Sequence, residues 1–312
     1  MSELDTPPSR NDASGVLLLG RPDAELVRNE PPMRRIMPYL MRRRNESLVF
    51  QDTVLRVREA RAWLRAYNRA HTHRATLFHL VAYACAVALH RRPRLNRYVA
   101  ANRLWARRDV SLAFVVKKDM ADEGVGATVK VTAPRGESFT DFSARLAALV
   151  DEARNIERAV DKEISTFLLL PGRILALGVK LVRFLDHWNL LPGWFMKNDP
   201  MYASVFLANL GSVGLSDVYH HLYEYGTCSI FGAVSATRRT AFVEGDRVVV
   251  DDGLTVRWTL DERIDDGFSA GRSIALLQRI VEDPAGHLGL PEGAVGDLEA
   301  GAPRERPTTS VA

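Results

Sequence analysis

Residues 76–91, TLFHLVAYACAVALHR, are apolar on nearly every side of a helix, and that segment restricts the fold more than any other. A helix without a polar face must be covered all round. It therefore needs a sheet on one side and other helices beside it. Pro93 sets its end, because proline lacks the N–H that a helix interior requires. The segment 57–70 places Ala60, Trp63, Leu64 and Tyr67 on a single helical face, which predicts an amphipathic neighbour. A third helix, over 139–160, follows the capping-box signal of Ser138 and Asp141.

Strand signals lie between and after these helices. VSLAFVVKK (110–118), ATVKVT (127–132) and ASVFLANL (203–210) read as strands. A hairpin is expected next, with DRVVV as one strand, Asp252-Gly253 as the turn and LTVRWTL as the return. In the return strand Leu254, Val256, Trp258 and Leu260 alternate with Thr255, Arg257 and Thr259, so one face is buried. The segment SAGRSIALLQRIVEDP closes the order as a helix with Ile274, Leu277 and Val281 inward. Strands mixed with packed helices predict an α/β fold, a two-layer sandwich of mixed sheet and helices.

Domain limits follow from composition. Residues 1–14 read as a disordered leader, 15–284 as the folded domain with a hydrophobic insertion at about 160–200, and 285–312 as a flexible tail. The net charge of +4 and pI near 9.2 come from arginines spread along the chain. No motif for nucleic acid accompanies them, and none is expected as a partner. Two cysteines, Cys85 and Cys228, imply no disulfide framework and suit a reducing cytoplasm. The start of the chain has no apolar signal segment, and no uncharged apolar run reaches the length of a membrane span.

Three stretches carry a resemblance. LFHLVAYACAVALHRRPRLNRYV, with Ala88, Leu89, Pro93, Leu95 and Asn96 at the matching positions, leads into the strand RRDVSLAFVVKK. FLANLGSVG (206–214) is similar to an "ISNLG" strand end. LTVRWTLDERIDDGFSAGRSIALLQRIVEDP is similar to a closing strand, a DHRxxDG motif and a final helix ending "LLEDP". In order and spacing, the chain from about residue 33 to 284 resembles the catalytic domain of the acyltransferase component of 2-oxo acid dehydrogenase complexes. That family is related to chloramphenicol acetyltransferase, whose HHxxxDG form Gly267, Phe268, Gly271 and Arg272 also fit. The resemblance implies a chloramphenicol-acetyltransferase-like fold, a homotrimer with its site between subunits, and transfer of an acyl group from a coenzyme A thioester. It implies no tightly bound cofactor and no metal. The leader leaves no room for a lipoyl-bearing or subunit-binding domain, so a dehydrogenase-complex core subunit is not expected.

By the same resemblance the catalytic histidine falls on Glu262, the motif aspartates on Asp261 and Asp266, and the oxyanion-binding hydroxyl on Ala208, followed by Asn209. A thiol has a pKa of about 8.5, a histidine about 6.5 and a glutamate about 4.3. Proton transfer from a thiol is thus uphill by about 5.7 kcal/mol to glutamate against about 2.7 to histidine. The difference costs roughly two powers of ten in rate, and burial of a glutamate recovers much of it. A missing oxyanion donor costs roughly 10²–10³ more. Glu262 is the expected base with Asp266 beside it; the alternative is a catalytically silent trimer that binds a ligand or serves as a scaffold. An ion pair of Glu262 with Arg263 at the surface is the structural alternative for that residue.

Two further features stay open. His220, His221 and Cys228 in YHHLYEYGTCS are either an auxiliary base and nucleophile near the acyl channel or a surface loop with a core cysteine. As neighbours in a strand, the two histidines would point to opposite faces, which disfavours a metal. The insertion, about 40 residues long, sets Arg173, Lys180, Arg183 and His187 on one helical stripe among Ile174, Leu177, Leu181, Phe184 and other apolar residues, with Trp188 and Trp194 following. It suits a helix in a membrane interface through residues 167–196, the wall of an acyl-chain pocket, a partner surface, or extra core.

Overall fold

The structure is a computed structural model, which describes residues 20–117, 126–152, 171–215 and 218–291. The chain first forms β1 (Ala24–Leu26), α1 (Pro32–Leu40), β2 (Leu48–Arg56), α2 (Arg58–Ala70) and α3 (Leu77–Arg91). It continues through β3 (Arg97–Ala100), β4 (Arg103–Arg107), β5 (Ser111–Lys117) and β6 (Gly126–Thr132). Helix α4 is described over 139–152. Then come α5 (Gly172–His187), α6 (Gly193–Asn198), β7 (Val205–Asn209), β8 (Ile230–Val234), β9 (Arg238–Glu244), β10 (Arg247–Asp261), α7 (Gly267–Glu282) and α8 (Pro284–Leu288). The proposed leader, the end of the 139–160 helix and the tail from 292 onward lie outside the described residues.

Helix α3 is the buried helix that its composition predicts. Leu80, Val81, Ala84, Cys85, Ala88 and Leu89 are all enclosed, and Thr76 with His79 forms a capping box at its start. It packs on α2 and α7. Ala60, Trp63, Leu64 and Tyr67 of α2 are buried, as their spacing requires. Ser138 Oγ accepts the Asp141 N–H at 3.1 Å, which caps α4. These helices cover one face of a seven-stranded mixed sheet ordered β2-β10-β8-β7-β5-β6, with β9 added to β10. Strands β5, β7 and β8 are mutually parallel and the other pairings are antiparallel. Leu112, Phe114, Val205, Leu207, Val256 and Trp258 meet the helices in one core. On the opposite sheet face, Ala113, Phe206, Phe231 and Ala233 form a smaller core with Leu222 and Cys228. A separate small sheet, β1-β4-β3, stands beside them. The expected two-layer α/β architecture is present.

The hairpin differs from expectation. Asp252-Gly253 lies inside the continuous strand β10, and the turn falls instead at Gly245, with φ +58°, where Glu244 pairs Arg247. Gly253 serves a close approach. Opposite Arg238 in the ladder, a Cβ there would come within 2.7 Å of Thr240 Cβ. Asp251 and Asp252 are spent on ion pairs, the first with Arg56 and Arg58, the second with Arg61. The start of the expected tail is also ordered into α8. Asp283 caps it through the Gly286 N–H, Trp63 Nε1 donates to the Gly289 carbonyl at 2.8 Å, and Pro291 is buried.

Helix α5 adds no core of its own, whereas Leu191 and Met196, later in the same stretch, are buried. Of the helix only Val182 and Leu185 lean on a small cluster of Leu191, Met196 and Tyr202. Polar pins secure it. The buried Arg21 guanidinium donates to Asp186 Oδ1 at 2.7 Å and to Asn189 Oδ1 at 3.2 Å. Lys130 Nζ donates to the Met196 and Tyr202 carbonyls at 2.7 and 3.2 Å.

Candidate active site

The Asp261–Asp266 segment is shaped by a buried ion pair. Arg263 donates to both Asp261 oxygens, at 2.8 and 2.7 Å, and to the Met41 carbonyl at 2.9 Å. Ser47 Oγ adds a hydrogen bond to Asp261 at 3.0 Å. Arg263 is thus Asp261's partner and not Glu262's, which corrects the surface-pair alternative. Glu262 is exposed, and its backbone is clamped: its N–H donates to the Ser47 carbonyl at 2.9 Å, and its carbonyl accepts from Arg34 Nη1 at 3.2 Å. Asp266 caps α7 through the Ser269 N–H at 2.7 Å and pairs with Arg34 Nη2 at 3.6 Å. Neither Arg34 nor Ser47 carries a motif in the sequence, so neither was legible there.

The ANLG segment lies at the other end of the sheet. Ala208 stands level with Ala233 and Asn209 with Val234 on β8. The start of β8 marks the Glu262 end, since Asp261 N–H bonds the Ser229 carbonyl. Four residues of strand separate these levels, about 13 Å at ~3.3 Å per residue. One chain therefore does not bring Ala208 and Asn209 up to Glu262.

His220 and His221 follow neither of their expected geometries in full. Residues 218–223 are not a strand. Their rings accordingly stack on one another at 4.7 Å rather than diverging. His220 also stacks on Phe231 at 4.1 Å, and Phe231 on Phe206 at 5.2 Å, along the sheet face that Ala208 shares. Burial pushes the His220 imidazole below its ordinary pKa. Cys228 is a core residue, its thiol pushed up by burial. The remaining histidines of the helical region are satisfied, His73 by Tyr67 at 2.8 Å and His90 by the Ala133 carbonyl at 2.7 Å. Among the described residues no group of three His, Cys, Asp or Glu side chains could hold a metal.

Arg173, Lys180, Trp188 and Trp194 lie on the exposed surface of the insertion. Arg183 turns toward a polar cavity of about 170 Å³, which Arg42, Arg44, His187, Glu224 and Arg263 also line. The insertion and the motif segment meet across that cavity. Among the described residues no helix is long and apolar enough to cross a membrane.

A probable dihydrolipoamide acetyltransferase from Listeria monocytogenes superposes with a TM-score of 0.55 at 14% identity, over 82% of this chain and 95% of that one. The dihydrolipoamide acetyltransferase of Azotobacter vinelandii gives 0.55 at 18%, over 84% and 94%. The cubic core of a pyruvate dehydrogenase multienzyme complex gives 0.55 at 18%, over 92% and 100%. The fold is that of these acetyltransferase cores. No protein-family model matches the sequence, and neither does any curated protein sequence. In the Azotobacter enzyme a serine, a histidine and an asparagine have been investigated for roles in catalysis, the last two four positions apart. The acetyltransferase-core fold thus covers most of this chain.

Proposed function

We propose that this chain is an acyltransferase that takes an acyl group from a coenzyme A thioester in a site completed by a second copy within a homotrimer. The observation that carries this reading is the separation of Glu262 from Ala208 and Asn209 at opposite ends of β8. Both segments resemble the family's pattern apart from Glu262 and Ala208 themselves, and a neighbouring copy would place one beside the other. Glu262 stands where the pattern has its histidine, and Asp266 stands four residues on, as the asparagine does in the Azotobacter enzyme.

Glu262 is the base. It takes the proton of the acceptor, whose freed lone pair attacks the thioester carbonyl carbon. The tetrahedral intermediate collapses with cleavage of the carbon–sulfur bond, and the departing coenzyme A thiolate recovers the proton from Glu262. Asn209 of a neighbouring copy offers an amide beside Ala208 for the oxyanion. Asp266 and Arg34 position the Glu262 turn and do not touch the reacting atoms. The exposed cavity arginines Arg42 and Arg183 suit the phosphates of the donor. Thiol release from a panel of acyl-CoA donors, with thiol, amine and hydroxyl acceptors, tests the reading.

Ala208 favours a second reading, a trimeric ligand-binding or scaffold protein without catalysis. An alanine cannot supply the hydroxyl donor, a loss worth roughly 10²–10³ in rate. Coenzyme A binding without turnover by any donor would select it.

A further inference from the structure

Helix α5 shows to solvent what helices usually hide. Ile174, Leu177, Leu181, Phe184 and Trp188 recur at intervals of three and four residues, which sets them in one stripe. Their exposure runs from 51% at Ile174 to 66% at Leu177. Past the helix end the apolar surface continues through Leu190 and Trp194, the latter 68% exposed. Arg173, Lys180 and His187 recur every seven residues along one border of the stripe. Among the described residues Arg173 and Lys180 have no ion-pair partner, while Asp186, the only acid of the helix, is taken by Arg21.

We infer that α5 and the Trp188–Trp194 turn form a docking surface for an anionic lipid bilayer, with the helix lying in the plane of the interface. The stripe enters the acyl boundary, the two tryptophans sit at headgroup level, and Arg173 and Lys180 reach lipid phosphates on their flexible stems. Charge decides the occupant. Two copies paired antiparallel through this stripe would set their cation rows side by side, which is unfavourable. An uncharged partner would leave those cations unused, whereas an anionic surface engages both the stripe and its border. This inference is independent of the acyl-transfer reading.

The full chain is mixed with phosphatidylcholine vesicles, with or without phosphatidylglycerol, and pelleted by ultracentrifugation. Binding to the anionic vesicles should exceed binding to neutral ones by roughly tenfold or more, and should weaken as salt is added. Leu177→Asp with Phe184→Asp, and separately Arg173→Gln with Lys180→Gln, should each lower anionic-vesicle binding by roughly tenfold or more. All four side chains are exposed, so circular dichroism and lipid-free sedimentation should match the unaltered chain. Failure to bind anionic vesicles, equal binding to neutral vesicles, or full binding by the Asp variant overturns the inference. A lower lipid-free sedimentation coefficient for the Asp variant also overturns it, by assigning the stripe to contact between copies.

Discussion

Arg263 grips Asp261 through two hydrogen bonds, 2.8 and 2.7 Å long, with both side chains buried. Glu262, between them, is turned to the surface on a backbone that Ser47 and Arg34 hold in place. Removing one partner strands the other charge in the interior. Asp261→Ala should therefore cost about 3–5 kcal/mol, whereas Glu262→Ala at the exposed position should cost no more than about 0.5 kcal/mol. Urea denaturation of the two variants reads the contrast directly.

Gly253 should resist substitution although its φ is not positive. Gly253→Ala drives a methyl group into Thr240 on β9, and overpacking of this kind costs about 1–3 kcal/mol. Gly178→Ala on α5, where a Cβ meets nothing within 4 Å, should be neutral or stabilising by up to about 1 kcal/mol. Denaturation midpoints with unchanged slope would check both.

Stability should fall as acid is added through the histidine range. Burial, with repulsion from His73, pushes His79 down from 6.5 to about 4. Its contribution is fully present above the ordinary pKa of 6.5 and is lost as pH falls toward 4, because the unfolded chain binds the proton first. The drop should be on the order of 2–3 kcal/mol, allowing for partial exposure. His73 and His220 are lowered too and act in the same direction. His79→Gln keeps an acceptor at the helix start and should flatten the profile between those limits.

Helices α2 and α3 are legible because burial marks both, as a one-face period at Trp63 and Tyr67 and as all-round apolarity around Leu80 and Leu89. The hairpin was misread because an Asp-Gly pair signals a turn only if its strand ends there. Here the glycine answers to Thr240, which lies across the ladder and leaves no local trace. His220 and His221 misled similarly: opposite faces follow from a strand, and the stacking on Phe231 replaces it. Glu262, Asp266 and Asn209 stand out only through the family resemblance. Their distribution over the two ends of β8 depends on strand order, which spacing alone does not reveal. The roles of Arg34, Arg44 and Arg21 depend on partners more than a hundred residues away.

If the site is shared between copies, the chain should not remain single in solution. Sedimentation equilibrium at micromolar concentration should give three times the 34.8 kDa chain mass. Asn209→Ala and Glu262→Gln chains, each weakened alone, should recover up to about a third of native activity per site when mixed and reassembled. This follows from counting interfaces that combine one intact segment from each. A stable monomer, or no recovery on mixing, would contradict the shared site.

The most direct test of the acyl-transfer account is the rate of coenzyme A thiol release by the Glu262→Gln variant beside the unaltered chain, using whichever acyl-CoA donor the unaltered chain accepts. The account predicts a loss of roughly 10²-fold or more, the scale of a general base, with circular dichroism and oligomeric state unchanged. Glu262→His should retain turnover to a thiol acceptor, since the proton-transfer mismatch shrinks by about 3 kcal/mol. Equal rates for the Gln variant and the unaltered chain, or no turnover of any donor by the unaltered chain, would contradict it.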